Sequence, residues 1–421
     1  MKPDADHNAD SGAVKPPTAE LEIFDHHIAI ADAAVENVRP RSAVYMFSVH
    51  DKPILLATTA NLKHAISLRL GPERSAHKTD YHAITTHVSW RYVNSAFAAN
   101  WWYLLASRKY YADIYRSLLA WRPAWYLRVE SGGARRPPSI DVQNRAAGCE
   151  GTLFGPFASR RGARELADWM LEHFELCRYE EILRQYPHGQ PCAYKEMGKC
   201  PAPCDGSESM EAYRIRVRQA TELLSSMAPL TRSVTQVTEL EWYGICEDQM
   251  KRAAVEMNFR AAAKMKAQLA SLAERFDSPM RGWGPMDQWK YIALQRGTTR
   301  RWIEPWILVP GMCTALPPVE AERITTEGLA LVREWTQSLN ETSSPARAGA
   351  LADDVPAMLT YHLNRSRDPG LYLSPADLMR EADVVRRIEQ WHDHGETGAV
   401  MEFAGETVQP TENGPTPSPE S

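Results

Sequence analysis

Apolar residues along the chain fall into short alternating runs and longer helical stripes. Ala43-Val44-Tyr45-Met46-Phe47 and Ile54-Leu55-Leu56-Ala57 flank His50-Asp51-Lys52-Pro53, which predicts two strands joined by a turn. Asn61 to Leu70 places Leu62, Ala65, Ile66 and Arg69 on one side of a helix. A Trp- and Tyr-rich helix around Phe97 to Leu105 and a strand from Trp125 to Val129 complete a small α/β unit over 39–130.

A loop rich in Gly, Arg and Pro, Ser131 to Ile140, leads to a second unit. There Phe154-Gly155-Pro156-Phe157 reads as a turn before a helix from about Arg161 to Leu176. Leu166, Met170 and Phe174 recur every four residues, and Cys177 extends that face. Met210 to Met227 is a long helix. A helical hairpin follows, with Met250, Ala253, Ala254 and Met257 on its first stripe. Beyond a break near Asn258, Phe259, Ala262, Ala263, Leu269, Leu272 and Phe276 form the second. Small residues in both stripes let the helices approach closely. Trp289 to Gln295 and Trp302 to Val309 predict paired strands about Arg296-Gly297-Thr298-Thr299, and helices carry the fold to about Ala404. Residues 1–20 and 405–421 lack apolar periodicity and are expected to be disordered. The predicted class is multidomain α+β: 39–130, a cysteine module over 148–205, a helical region over 206–277, and a mixed region over 278–404.

Composition narrows the function classes. A net charge of −5 gives no global positive field, so any DNA contact falls to local basic patches. No apolar run approaches the ~20 residues that span a bilayer. Met1 to Asp10 is polar and acidic, unlike a secretory signal. A cytoplasmic protein without a membrane partner is expected.

Four of the seven cysteines crowd together: Cys177, Cys192, Cys200 and Cys204, with 14, 7 and 3 residues between them. Four thiolates suffice for tetrahedral zinc or for a cubane iron–sulfur cluster. Zinc sites favour CxxC pairs, and this chain has none. The wide, uneven spacing suits the larger cluster better, with zinc and plain buried cysteines as the other readings. Pro201 and Pro203 stiffen the loop between the last two candidate ligands. Cys149, Cys246 and Cys313 are scattered and read as small buried hydrophobes. His26-His27 after Asp25 reads as the start of a surface helix rather than a metal site. Arg160, Arg161 and Arg164 open a helix near the cysteines, where phosphate contact and a solvated basic face are equal readings.

The strings FGPFASRRGARELADWMLEHFELC and RQYPHGQPCAYKEMGKCPAPCDG resemble the segment of UvrC, a subunit of an excision nuclease, that follows its first nuclease domain. The hairpin over 246–273, containing MKRAAVEMNFRAAAKMKAQLASL, resembles the UVR motif by which that family docks onto UvrB. The similarity covers about 40–277. It implies a 4Fe-4S cluster on the four cysteines, zinc being the alternative. It also implies a UvrB-like partner reached through Met250, Ala253, Ala254, Met257, Phe259, Ala262, Ala263 and Lys266, and damaged DNA as a second partner. Two departures are Arg260, where the family carries an acidic residue, and Lys266-Ala267 in place of Arg-Asp.

On this resemblance residues 40–130 take the place of a GIY-YIG nuclease domain. Such a domain needs a tyrosine beside the attacking water, an arginine on the phosphate and a carboxylate on a metal. Tyr45 stands at the tyrosine of GIY. Leu55-Leu56-Ala57 replaces YIG, Thr58 the usual Lys and Ala65 the catalytic Arg. No Glu occurs between Glu73 and Glu130, and only Asp80 and Asp113 offer carboxylates there. The resemblance therefore implies a degenerate, non-cutting UvrC-like protein of nucleotide-excision repair, with Tyr45 as the residue of a lost site. A nuclease with rearranged catalytic groups is one alternative. Another is an adaptor of protein-quality control, a class whose cysteines come as CxxC pairs. The chain after Phe276 is too short for a second nuclease and a helix–hairpin–helix pair, and Asp287 is its one suggestively placed carboxylate.

Overall fold

The hairpin forms where the alternation places it. In a computed structural model that describes residues 22–30, 38–71, 80–133, 136–227, 241–276, 283–342, 351–365 and 370–393, strand β1 (His26–Ala29) precedes β2 (Ala43–Val49) and β3 (Lys52–Thr59). The segments 1–20 and 405–421 lie outside the described residues. The β2–β3 turn is tighter than expected. His50 takes a left-handed φ of 53°, so Lys52 and Pro53 already belong to the strand. Helix α1 (Leu62–Leu70) starts at Asn61, whose side chain accepts the His64 N–H at 3.0 Å. A short helix α2 (Tyr81–Ile84), strand β4 (His87–Tyr92), helix α3 (Ala96–Tyr110) and a single turn α4 (Tyr115–Leu118) follow.

The first sheet runs β1-β4-β2-β3, antiparallel throughout. His26-His27 opens its edge strand rather than a helix, because His26 stacks on Trp90 at 5.0 Å across the β1–β4 pair. Both faces of β2 are covered. Tyr45 and Phe47 pack with Leu62, Ala65, Ile66 and Tyr81, while Val44 and Met46 turn to the α3 side.

The second sheet corrects two expectations. Strand β5 (Trp125–Glu130) does not close the first unit, since it lies between β6 (Ser139–Gln143) and β7 (Thr152–Phe157). Its Leu127 and Val129 join a different core, with Leu166, Met170 and Tyr213. Phe154 to Phe157 is not a turn but the end of β7, fully within that core. The Gly-Pro pair misleads because proline is admitted to a strand at a bulge, and the β5–β7 register shifts between Trp125 and Leu127. A Cβ at Gly155 would meet the Tyr126 ring at 2.7 Å. Helix α5 (Arg160–His173) is shorter than its apolar stripe. Glu175 adopts φ 52° and the Leu176 N–H returns to the Leu171 carbonyl at 2.8 Å, a left-handed helix stop that turns Cys177 off the helix. Two single turns, α6 (Glu180–Leu183) and α7 (Ala193–Glu196), and a 3-10 turn at Pro203–Asp205 lead to α8 (Met210–Met227).

Helices α9 (Glu241–Val255) and α10 (Phe259–Phe276) pack against each other as the predicted hairpin. The chain then returns to the second sheet, where β8 (Gly284–Pro285) pairs with β7 and Trp283 stacks on Phe157 at 5.8 Å. Strands β9 (Tyr291–Arg296), β10 (Trp302–Val309), β11 (Met312–Ala315) and β12 (Val319–Glu320) continue into helices α11 (Glu322–Glu341) and α12 (Leu351–Leu363). Strand β13 (Leu371–Leu373) and helices α13 (Pro375–Leu378) and α14 (Glu381–Asp393) end the described chain. The third sheet has the order β11-β10-β9-β13, with β12 on β10. The β9–β10 pair and its turn fall where predicted, and Asp287 is exposed.

Helix α3 ties the first and third sheets together. It is apolar nearly all round, as a helix buried between layers must be. Phe97 meets Trp306 at 5.6 Å and Tyr372 at 6.2 Å, and Asn100 is 3.1 Å from the ring of the buried His362. Asp353 and Asp354, at the start of α12, fasten the junction. Asp353 accepts the Ala146 and Ala147 N–H groups at 2.5 and 3.1 Å. Asp354 accepts the Tyr115 hydroxyl at 3.0 Å and faces Arg108 and Arg116 at 3.8 and 3.7 Å. No described helix is long and apolar enough to cross a membrane.

Candidate functional site

The four clustered cysteines are delivered by loops rather than by one regular element. Cys177 follows the left-handed stop of α5, Cys192 caps α7, Cys200 precedes Pro201, and Cys204 sits in the 3-10 turn. All four are free thiols; Cys204 is buried and the others are half-buried. They share one electrostatic neighbourhood. Burial pushes the Cys177 thiol up to about 11, and each of the other three adds to the shift. Burial also raises Cys200 and Cys204, and Cys192 adds to both. A thiolate formed at one position therefore opposes thiolates at the rest. A cation placed among them offsets that repulsion.

Among the described residues no three His, Cys, Asp or Glu side chains stand ready to hold a single ion. The four thiols share one neighbourhood, and as a set of four sulfur donors they have the chemistry to hold zinc or an iron–sulfur cluster.

Several contacts hold the loops. Ala202 adopts a left-handed φ of 58° between two prolines, which turns its N–H onto the Cys200 Sγ at 3.4 Å. The Gly189 N–H donates to the Cys204 carbonyl at 2.9 Å, and a Cβ there would lie 2.9 Å from the Ile182 oxygen. Lys195 pairs with Asp205, holding its carboxyl down to about 2, and Asp205 accepts the Ser207 N–H. Behind the loops, α8 presents Tyr213 and Arg216. The Cys177 N–H donates to the Tyr213 Oη at 3.4 Å. The Arg216 guanidinium lies 5.6 Å from the Tyr213 ring centre. Sequence patterning found neither residue; the available signal was a cation three residues after a tyrosine of the apolar stripe of α8.

The three arginines ahead of the cysteines are engaged locally. Arg161 pairs with Glu165 at 2.8 Å and Arg164 with Asp168 at 3.9 Å, while Arg160 lies 5.5 Å from the Trp125 ring centre.

Tyr45 sits in a closed core. It is fully buried, its hydroxyl has no hydrogen-bond partner, and burial pushes its phenol up to about 12. Leu55, Ala57 and Ala65 are buried in the same cluster. The Arg69 guanidinium, one helical turn beyond Ala65, lies 5.7 Å from the Tyr45 ring centre. Asp80 caps α2 by accepting the Ala83 N–H, and Asp113 is exposed.

The hairpin residues divide by depth. Met250, Ala253 and Ala262 are half-buried, and Ala254, Ala263 and Lys266 are exposed. The tip carries three large apolar side chains in the open: Val255 is 84%, Met257 77% and Phe259 68% exposed. Met257 adopts φ 57° and Asn258 accepts the Ala261 N–H at 3.2 Å, so the tip is a formed turn.

Comparison with known proteins meets the site directly. Residues 124–223 match the family model described as the UvrC/Cho excinuclease middle domain. That range spans β5 to α8 and contains all four clustered cysteines. The UvrABC system protein C of Syntrophotalea carbinolica is 29% identical over 150 residues, 35% of this chain and 22% of that protein. The protein of that name from Salinispora arenicola is 30% identical over 137 residues, 32% and 19% of the two chains. The one from Corynebacterium aurimucosum is 30% identical over 122 residues, 28% and 16%. The chain thus spans about a fifth of the length of these relatives, and it is UvrC-like across that part. No solved structure matches.

Proposed function

We propose that this protein is a non-cutting, UvrC-like accessory of nucleotide-excision repair. In this reading it docks a UvrB-like partner through the α9–α10 hairpin and holds a 4Fe-4S cluster on Cys177, Cys192, Cys200 and Cys204. The first sheet serves as a scaffold of GIY-YIG type without its chemistry. The observation that carries the loss of cutting is the burial of Tyr45. A tyrosine that assists an attacking water must reach that water, and Tyr45 Oη reaches nothing. Leu55, Ala57 and Ala65 supply no donor, acceptor or charge in its place.

The cluster is favoured over zinc on sequence spacing: the four cysteines contain no CxxC pair, and their wide, uneven separation suits a core that gives each sulfur its own iron. When bound, such a cluster supplies one-electron chemistry and a cross-link among loops that have little regular structure. DNA contact through Arg160, Arg161 and Arg164 competes with Glu165 and Asp168, which already pair with two of them.

The deciding experiment adds the purified protein to the organism's UvrA and UvrB on a damaged duplex. The expected result is UvrB binding without strand cutting. Cutting that depends on this chain overturns the reading. One observation favours that second outcome, namely Arg69 on the Tyr45 ring, a turn from the position of the missing arginine. Incision lost in Arg69→Ala would then assign the phosphate contact to Arg69.

A further inference from the structure

We infer that Arg216 is the positioning residue of the four-cysteine centre, set to donate its remaining N–H toward the sulfur of an iron–sulfur cluster and to offset the cluster's negative charge. The inference rests on the cluster reading above and deepens it.

The guanidinium is fixed at two corners. Its Nη1 donates to the carbonyl oxygens of Phe174 and Glu175, both at 2.9 Å, and its Nη2 pairs with Glu208. Those two carbonyls belong to the helix stop that sends the chain to Cys177. The third corner is different. Nε is buried and has no acceptor. An unsatisfied buried N–H on a charged group is costly, so its retention calls for a partner that the polypeptide alone does not supply.

Tyr213 ties the Arg216 guanidinium to the cysteine loops. Tyr213, one turn back on α8, receives the Cys177 N–H and lies under the guanidinium. Tyr213 is also within electrostatic reach of Cys177 and Cys200. Arg216 itself lies within electrostatic reach of Cys200. Other basic side chains near the loops also pair with carboxylates, Arg178 with Asp168, Arg184 with Glu180, Lys195 with Asp205 and Lys199 with Glu172, but of these and Arg216 only Arg216 keeps a buried N–H without an acceptor. Hydrogen bonds to sulfur and nearby positive charge are the levers by which a protein raises a cluster's potential and holds it.

The test compares the full chain, purified without air, with Arg216→Gln and Arg216→Lys. Iron and acid-labile sulfide are counted, the reduction potential is titrated, and iron release to a chelator is timed. Thermal melting of each chain reports folding separately. Arg216→Gln is expected to shift the potential in the negative direction and to release iron about 10- to 100-fold faster. Arg216→Lys keeps the charge without the fork, so it should recover most of the potential and less of the retention. A loaded Arg216→Gln chain with unchanged potential and release overturns the role of Arg216 alone. If Arg216→Gln does not fold, an Arg216→Lys chain that matches the natural one in both readouts overturns the fork's role. Absence of iron and sulfide from the natural chain overturns the cluster reading itself.

Discussion

The first sheet and the cysteine module treat their reactive groups in opposite ways. In the sheet, Tyr45 is sealed by Phe47, Tyr81 and α1, and the positions around it carry Leu and Ala. In the module, four thiols gather on loops, three of them half-exposed, with an amide, a phenol and a guanidinium arranged behind them. A strand–hairpin–helix frame keeps its shape when its polar groups are replaced by apolar ones, because the replacements add to the core. A loop-built site has no such fallback. Residues 174–205 have only single helical turns and a few loop contacts to hold them in place. The contrast predicts that the module should be brittle toward substitution and the sheet tolerant.

The largest effect should come from the module. Replacing Cys192 and Cys200 together by Ser is expected to abolish bound iron and to open the loops around them to limited proteolysis. Iron content unchanged in that double variant would mean the cysteines are core residues and the contrast with the sheet is false. The next largest effect belongs to the junction that carries the sheet. Asp354→Ala removes the acceptor of the Tyr115 hydroxyl and the carboxylate that faces Arg108 and Arg116, and it should cost about 2–3 kcal/mol in urea unfolding. Its carboxyl is raised above the ordinary range mainly by burial, against the pull of Tyr115, Arg116 and Arg108 and with a push from Asp353. A raised folded value means that the pH-dependent part of the contribution of Asp354, that of its protonated form, is fully present below its unfolded value and is lost as pH rises through the folded one. Asp354→Asn should therefore flatten the stability profile across that acidic window. A profile that keeps its slope would move the titration to another group.

Much of this was legible in the sequence. Short apolar runs bounded by turn residues gave β2, β3, β9 and β10, and longer helical patterns gave α1, α3, α5, α8 and the α9–α10 hairpin, since both signals are local. The errors arose where tertiary pairing overrode a local cue. Gly155-Pro156 looks like a turn until β5 offers a bulge to receive it, and the strand at Trp125 reveals its partners only when β6 and β7 are in hand. The site was legible in part. Cysteine spacing marked the thiols, but Arg216, Asp353 and Asp354 act across 41 to more than 200 residues of chain, and no window shows that.

A smaller effect tests the hairpin. Phe259→Glu alters a residue that is 68% exposed, so stability should change by less than about 0.5 kcal/mol. Binding to a UvrB-like partner should weaken about tenfold or more, because a charge then faces an interface centred on the apolar tip. Undiminished binding, measured by calorimetry, would remove the hairpin from the dock.

The smallest effect is the sharpest for the comparison. Tyr45→Phe removes one oxygen that nothing satisfies and keeps the ring on which Arg69 lies. A buried unpaired hydroxyl costs free energy, so the variant should be as stable as the natural chain or more stable by about 1 kcal/mol. The phenol is raised from 10.0 to about 12, chiefly by burial. Its stabilising protonated form is thus fully present below about 10 and is lost as pH rises through about 12. The variant should resist alkaline unfolding in that window better than the natural chain. A catalytic tyrosine behaves in the reverse manner, since its loss leaves stability nearly unchanged and removes activity. Destabilisation by Tyr45→Phe would show that the hydroxyl has a partner, and the sheet would then have to be counted with the cysteine module as a site that still holds something.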